Sequence, residues 1–262
     1  VAQGNTAAAQ RILAKVLGVG ANETLEKIQA SLKREHKPSL ADLKSPKGGW
    51  YPIVWVGVGL AVFQQFVGIN VIFYYSNILW EAVGFDESSS FVITVLTSIT
   101  NIVTTLIAIA AVDRAGRRPL LIIGSIGMAV ALGAMSLIFG TAPVVNGVPQ
   151  LGGMGPVALV AANIFVIAFG MSWGPVMWIM LGEMFPNLYR GAALSIAGFA
   201  QWTANWVVTV TFPSLKDISL GLAYGLYALF ALLSLFFVLR FVTETKGIAL
   251  EDMDDGFVPG GH

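Results

Sequence analysis

With 262 residues, 56% of them hydrophobic and 11% charged, the chain falls outside the composition of a soluble domain, where about a quarter of residues carry charge. Lys and Arg together number 15, as do Asp and Glu, so there is no net positive charge with which to hold a nucleic acid. The lack of cysteine excludes a disulfide framework and a thiolate metal site, and a mean hydropathy of +0.75 points to the membrane.

The chain opens at Val1, without methionine, and reads as the start of a piece rather than of a whole gene product. "AAAQRILAKVLG" has helical spacing and closes on Gly18, a suitable C′ residue. Asn22 caps a second helical stretch, "NETLEKIQASLKREH", which stops before Lys37 and Pro38. "PSLADLKSP" predicts a third short helix. Residues 1–47 are therefore read as a cytoplasmic helical segment. A solvated linker, or charged amphipathic helices lying on the bilayer, is the other reading of the same residues.

Six runs follow that hold no Lys, Arg, Asp or Glu: Pro52–Trp80, Phe91–Val112, Leu120–Thr141, Pro156–Leu181, Gly191–Phe212 and Ile218–Leu239. Each reaches at least 22 residues, and a spanning helix needs about 20. The expectation is an all-α membrane protein with six spans over residues 48–243 and a short acidic tail over 244–262. Counted for six spans, 14 of the 15 basic residues fall on one side, and only Lys216 lies opposite. The positive-inside rule then puts both termini in the cytoplasm.

The spans are not uniformly apolar. The first, with Gly57, Gly59 and Gly68, and the fourth, with Gly170, Gly174 and Pro175, carry corresponding glycine and proline interruptions. Such pairs point to a three-plus-three inverted repeat with a binding site near the midplane, although glycines in spans also serve close packing. On a helical wheel Gln64, Asn70, Tyr74, Tyr75 and Asn77 share an arc of about 160°, with Gln65 off it unless Gly68 changes the register. Thr94, Thr97, Asn101 and Thr104 form one stripe in the second span, and Gly198, Gln201, Trp202, Asn205 and Thr209 another in the fifth. Trp173 and Trp178 flank the fourth-span interruption.

Any single amide here is equally a bond between helices. Six of them with neighbouring indoles make a cavity that both donates and accepts hydrogen bonds, as a polyol requires. An ionic ligand would need a countercharge, and the six runs hold none. The ligand is expected to be neutral and rich in hydroxyls. A membrane enzyme is rejected: His36 and His262 both lie outside the spans, and no acid pair or metal-spaced cluster occurs. No cofactor is expected.

"FQQFVGINVIFYYS", "DRAGRRPL" (113–120), "SWGPVMWIMLGEMFPNLYRG" (172–191) and "TETKG" (243–247) resemble the sugar porter family of the major facilitator superfamily. The match is to the C-terminal half, helices seven to twelve, preceded by the family's intracellular helical domain. The fourth-span stretch looks closest to bacterial proton–sugar symporters such as those for xylose. The resemblance implies a monosaccharide bound by Gln64, Gln65, Asn70, Asn101, Trp178 and Gln201, with Trp202 and Asn205 lining the cavity. It implies an extracellular gate at Tyr74 and Tyr75. It also implies a cytoplasmic latch of Asp113, Arg114, Arg117, Arg118, Glu183, Arg190 and Glu244, closed in the outward-facing state. Read from position alone, these arginines are topology signals with weak surface pairs, but the adjacent acids favour a latch.

The chain departs from the family at Thr243, where proline is usual, and in lacking helices one to six. The implied partners are that N-terminal six-helix half, the bilayer and a hexose or pentose, moved by alternating access across the plasma (inner) membrane. Proton coupling is a further implication, though the uncharged spans hold no carboxylate to relay a proton. A transport-inactive sugar sensor or membrane anchor is the alternative function.

Overall fold

A computed structural model of the chain describes residues 6–17, 25, 39–46, 48–76, 80–81, 85–145, 148–186 and 189–247. The alanine-rich N-terminal stretch forms helix α1 (Thr6–Leu17), with Lys15 in its last turn, where a cation complements the helix dipole. The expected helix over 22–36, its cap Asn22, the C′ residue Gly18, Asn77 and the tail 248–262 lie outside the described residues.

The third expected cytoplasmic helix is a single 3-10 turn, Leu40–Leu43. Ser39 and Asp42 cap it reciprocally: the Ser39 hydroxyl accepts from Ala41 N–H, and Asp42 accepts from Ser39 N–H at 2.7 Å. Leu43 is fully buried in the bundle core, and Tyr51 N–H donates to its carbonyl at 3.0 Å. The stretch before the first span is thus docked on the bundle.

The six uncharged runs become six rods. The first span is α2 (Pro52–Phe66) and α3 (Ile69–Tyr74), separated at Val67 and Gly68. The second is α4 (Glu87–Ala115), capped by Asp86, and the third is α5 (Arg117–Thr141). A two-stranded antiparallel ribbon, β1 (Val144–Val145) and β2 (Val148–Pro149), follows. This small departure from an all-α chain flanks Asn146-Gly147, a dipeptide suited to a two-residue hairpin. The fourth span is α6 (Gly155–Gly170) and α7 (Trp173–Met184), separated at Met171 and Ser172. The fifth is α8 (Arg190–Ile218) and the sixth α9 (Leu220–Phe241).

Five of the six spans are long and apolar enough to cross a bilayer. The exception is α8, which has 29 residues and so exceeds the roughly 30 Å core of a bilayer, but whose apolarity is lowered by Gln201, Thr203, Asn205, Thr209 and Thr211. Large apolar side chains such as Ile123, Val130, Leu137 and Phe236 point outward, as lipid-facing residues do.

The interruptions differ in kind from those expected. Gly68 is the break in the first span: its φ is +83°, a left-handed conformation that glycine adopts freely. Gly57 and Gly59 lie within unbroken α2, where they let Phe185 and Phe237 approach closely. In the fourth span the break lies after Gly170, and Gly174 and Pro175 open the next helix.

The packing follows an inverted repeat. The first span lies along the fifth, the second along the fourth, and the third along the sixth. Exchanging spans one to three with four to six converts the first pairing into the second and leaves the third unchanged. The largest fully buried side chains, among them Trp173, Tyr189, Tyr224, Phe165, Phe185 and Phe212, fill the space between the rods.

Candidate functional site

The break at Gly68 ends α2 just after Gln64 and Gln65 and lets α3 begin just before Asn70, so all three amides reach the same interior region. Gln64 is the hub. Its Nε2 donates to the carbonyls of Trp173 at 3.2 Å and Gly174 at 3.4 Å, which lie in the first turn after the fourth-span break. Its Oε1 accepts from Gln65 Nε2 at 3.1 Å and from Gln201 Nε2 at 3.2 Å. Asn70 Nδ2 then donates to Gln65 Oε1 at 2.6 Å and to Asn205 Oδ1 at 2.7 Å. The Thr209 hydroxyl also donates to Asn205, at 3.4 Å.

These bonds link the first, fourth and fifth spans, so the amides do hold helices together. They do not use up the polar groups. Among the described residues, Gln201 Oε1 is buried without a partner, and so is Asn101 Oδ1 on α4. A buried acceptor left unmade costs about 1–3 kcal/mol, more than a bond between helices alone accounts for. Asn101 and Thr104 stand against Gly170, so the second-span stripe faces the fourth-span break. What the cluster offers a ligand is acceptor oxygens together with the second N–H groups of Gln65 and Gln201, a combination suited to hydroxyls.

The expected aromatic residues sit differently. Trp178 and Trp202 are 44% and 64% exposed and belong to none of these bonds. Trp202 lies at the edge of the α8 stripe opposite Gln201 and is exposed, while Gln201 and Asn205 are buried. Tyr74 is 56% exposed, whereas Tyr75 is half-buried, donates to Thr209 O at 3.2 Å and packs its ring on Phe212 at 4.9 Å. Of the two, Tyr75 ties α3 to α8.

Where α4 meets α5 at one end of the bundle, Arg117 grips Glu183 through two N–H groups, Nε to Oε2 at 3.0 Å and Nη2 to Oε1 at 2.7 Å. This paired geometry is the strong form of such a contact. Arg117 also pairs with Asp113 at 2.8 Å. Glu244 meets no arginine head among the described residues. Its carboxylate instead accepts the backbone N–H groups of Arg117 and Arg118, both at 3.0 Å, as an anion at the N-terminus of α5. Arg118 donates to Leu239 O at 3.0 Å, Arg190 to Phe185 O at 3.0 Å, and Arg114 contributes its carbonyl to Lys246 Nζ at 2.8 Å. The expected cluster is therefore narrower in ion pairs and richer in backbone contacts. One member was missed: the Thr245 hydroxyl donates to Glu183 Oε2 at 2.7 Å. Its place inside "TETKG" was the available signal.

Six spans in an inverted repeat, broken at their first and fourth members around buried amides, define one half of a membrane transporter. The family model described as "Sugar (and other) transporter" matches residues 1–257, and the chain belongs to that family. It is 56% identical over 255 residues to the glucose transport protein of Synechocystis sp., covering 97% of this chain and 54% of that protein. It is 37% identical over 263 residues to the D-xylose-proton symporter of Escherichia coli, covering 97% and 50%. Among solved structures, the proton:xylose symporter of the major facilitator superfamily bound to 6-bromo-6-deoxy-D-glucose is 35% identical. It is matched with a TM-score of 0.76, over 96% of this chain and 52% of that one. The inward open xylose transporter from E. coli, 35% identical and matched over 93% and 48%, reaches 0.66. The chain thus spans about half the length of the curated relatives it matches, and its helices lie nearer the analogue-bound arrangement than the inward open one.

Proposed function

We propose that the chain is the C-terminal half of a monosaccharide transporter, binding a neutral hexose or pentose at Gln64, Gln65, Asn70, Asn101, Gln201 and Asn205. The observation that carries this reading is the buried amide cluster of Gln64, Gln65, Asn70, Gln201 and Asn205 at the Gly68 break, formed within runs that hold no charged residue. Sugar hydroxyls are the partners that such amides suit, and charged ligands find no counterion. The names of the relatives, a glucose transport protein and a D-xylose-proton symporter, support the same substrate class.

A second six-helix half completes the transporter, and the two rock about the sugar in alternating access. Trp178, Trp202 and Tyr74, exposed in this half, face that partner or the sugar and form the cavity wall and gate. Tyr75 closes the gate by holding α3 to α8. The Arg117–Glu183 pair, with Asp113, Glu244, Arg114, Arg118 and Arg190 around it, latches the cytoplasmic side in the outward-facing state. The paired hydrogen bonds between Arg117 and Glu183 support a closed latch in this structure. Residues 1–47 and 244–262 face the cytoplasm, and the carrier resides in the plasma (inner) membrane. Any proton coupling uses acids of the other half, as the six uncharged runs at membrane depth hold none.

Counterflow of radiolabelled glucose and xylose in liposomes tests this reading, with the chain alone and with a six-helix N-terminal half supplied. The expected result is saturable counterflow that depends on the second half. Binding without counterflow in the assembled pair would overturn transport in favour of a sugar sensor.

A further inference from the structure

Trp173 is the largest of the fully buried side chains and sits at the first helical position after the fourth-span break. A buried indole needs a partner for its N–H, and this one has two on the third span. Nε1 donates to Ser125 Oγ at 2.9 Å and to Leu121 O at 3.2 Å. Ser125 Oγ is bonded in turn to Ser234 Oγ on the sixth span at 3.0 Å, and Ser234 donates to Ala231 O at 2.7 Å. The far end of the same residue, its carbonyl, accepts the Gln64 amide. One residue therefore joins two polar systems: a buried serine relay crossing the third and sixth spans, and the amide cluster of the ligand site.

The consequence lies in the orientation of Gln64. An amide side chain has one donor end and one acceptor end, and the Trp173 and Gly174 carbonyls take the donor end. The acceptor end is thereby turned toward Gln65 and Gln201, whose Nε2 groups it holds. With one N–H of its Nε2 so engaged, Gln201 keeps a second N–H and the free Oε1, in an orientation that Gln64 sets. If the first turn of α7 were loose, Gln64 would have no fixed carbonyl to meet and the polarity of the whole row would be unset.

We infer that Trp173 is a positioning residue of the sugar site, anchored by Ser125 and Ser234 and acting through Gln64. The inference rests on the proposed sugar site. Its substrate-side consequence is that the polarity of the row, the Gln201 acceptor beside the remaining amide N–H groups, is set before the sugar binds.

The test uses equilibrium sugar binding to the carrier that this chain forms, with glucose and xylose as probes and thermal stability in detergent measured in parallel. Trp173→Phe keeps an aromatic ring, though a smaller one, and removes the N–H; Ser125→Ala removes its acceptor; Ser125→Thr retains it. Trp173→Phe and Ser125→Ala are each expected to weaken sugar binding about fivefold to tenfold, from the loss of one net hydrogen bond of about 1 kcal/mol and a disordered acceptor. Ser125→Thr is expected to bind as the parent does. In a Gln64→Ala background, Trp173→Phe should add no further loss, since the route runs through Gln64.

Losses that simply add in the Gln64→Ala background would make Trp173 a structural residue only and overturn the inference, as would parental affinity in both Trp173→Phe and Ser125→Ala. Unchanged affinity in Gln64→Ala itself would instead remove the sugar site, which separates the two failures. Should Trp173→Phe not fold, Ser125→Ala against Ser125→Thr decides the matter alone.

Discussion

Replacing Glu183 with glutamine removes the charge from a carboxylate that Arg117 holds at 3.0 and 2.7 Å, with little change in shape. Arg117 is buried, and stripping the partner from a fully buried ion costs about 3–5 kcal/mol. Two features lower that figure. The Glu183 side chain is 28% exposed, and Asp113 remains at 2.8 Å as a solvent-facing second partner. A cost of about 2 kcal/mol follows, or about thirtyfold in the equilibrium between joined and separated cytoplasmic ends. Because Thr245 and Glu244 share the joint, the backbone amides of Arg117 and Arg118 should open with it. Hydrogen–deuterium exchange of peptides covering 112–118 and 244–247 reads this directly, and Glu183→Gln is expected to speed exchange there by about thirtyfold. Exchange within about threefold of the parent, while Glu244→Gln accelerates it strongly, would show that the ion pair contributes nothing and that the joint is only the cap on α5.

Three further outcomes are expected. Asn70→Ala removes the donor that joins Gln65 to Asn205, and Gln65→Ala removes one link of the row; each should weaken sugar binding about tenfold in titration while helicity in detergent is kept. Gly68→Ala forces a side chain into a left-handed backbone position, with its Cβ 2.8 Å from the Tyr227 ring. It is expected to lower the thermal midpoint and binding together, whereas Gly182→Ala, where the added Cβ meets nothing within 4 Å, should change neither. The Asp86 carboxyl, bonded by the hydroxyls of Ser88 and Ser89 and by Ser89 N–H, is held at about 2, below its ordinary 3.8. A lowered value means that the cap is fully effective above the ordinary value and is lost as pH falls through about 4 toward 2. Protection at the start of α4, taken relative to the intrinsic exchange rate at each pH, should therefore be flat from pH 7 to 5 and fall only below pH 4.

The fold was legible because spans announce themselves by uncharged length, and five of the six also by apolarity. The polar stripe of α8 was legible for the opposite reason: Gln201 and Asn205 recur one helical turn apart among apolar residues, and both are buried. Where the reading failed, the cause was local backbone geometry. Gly57, Gly59 and Gly68 look alike in a sequence, yet only Gly68 takes a positive φ, since that depends on how Tyr227 on a distant helix packs against it. Gln65 lay off the arc of a continuous wheel, and the break at Gly68 brings it into the row with Asn70. Trp202 falls beside Gln201 in the sequence but at the edge of the stripe, and its exposure is set by which rods are its neighbours. Among the motif charges, the sequence offered a cluster of arginines with Glu183 and Glu244 but neither which of them pair nor that Glu244 sits on backbone amides. A helix N-terminus carries no charged letter in the sequence.

The most direct test of the account is titration of the assembled carrier with glucose, xylose and glucose 6-phosphate, in the parent and in Asn70→Ala. The account predicts saturable binding of a neutral sugar, loss of most of that affinity in Asn70→Ala, and no binding of the phosphorylated sugar, for which the spans hold no counterion. Binding of the phosphorylated sugar, or neutral-sugar affinity untouched by Asn70→Ala, would contradict it.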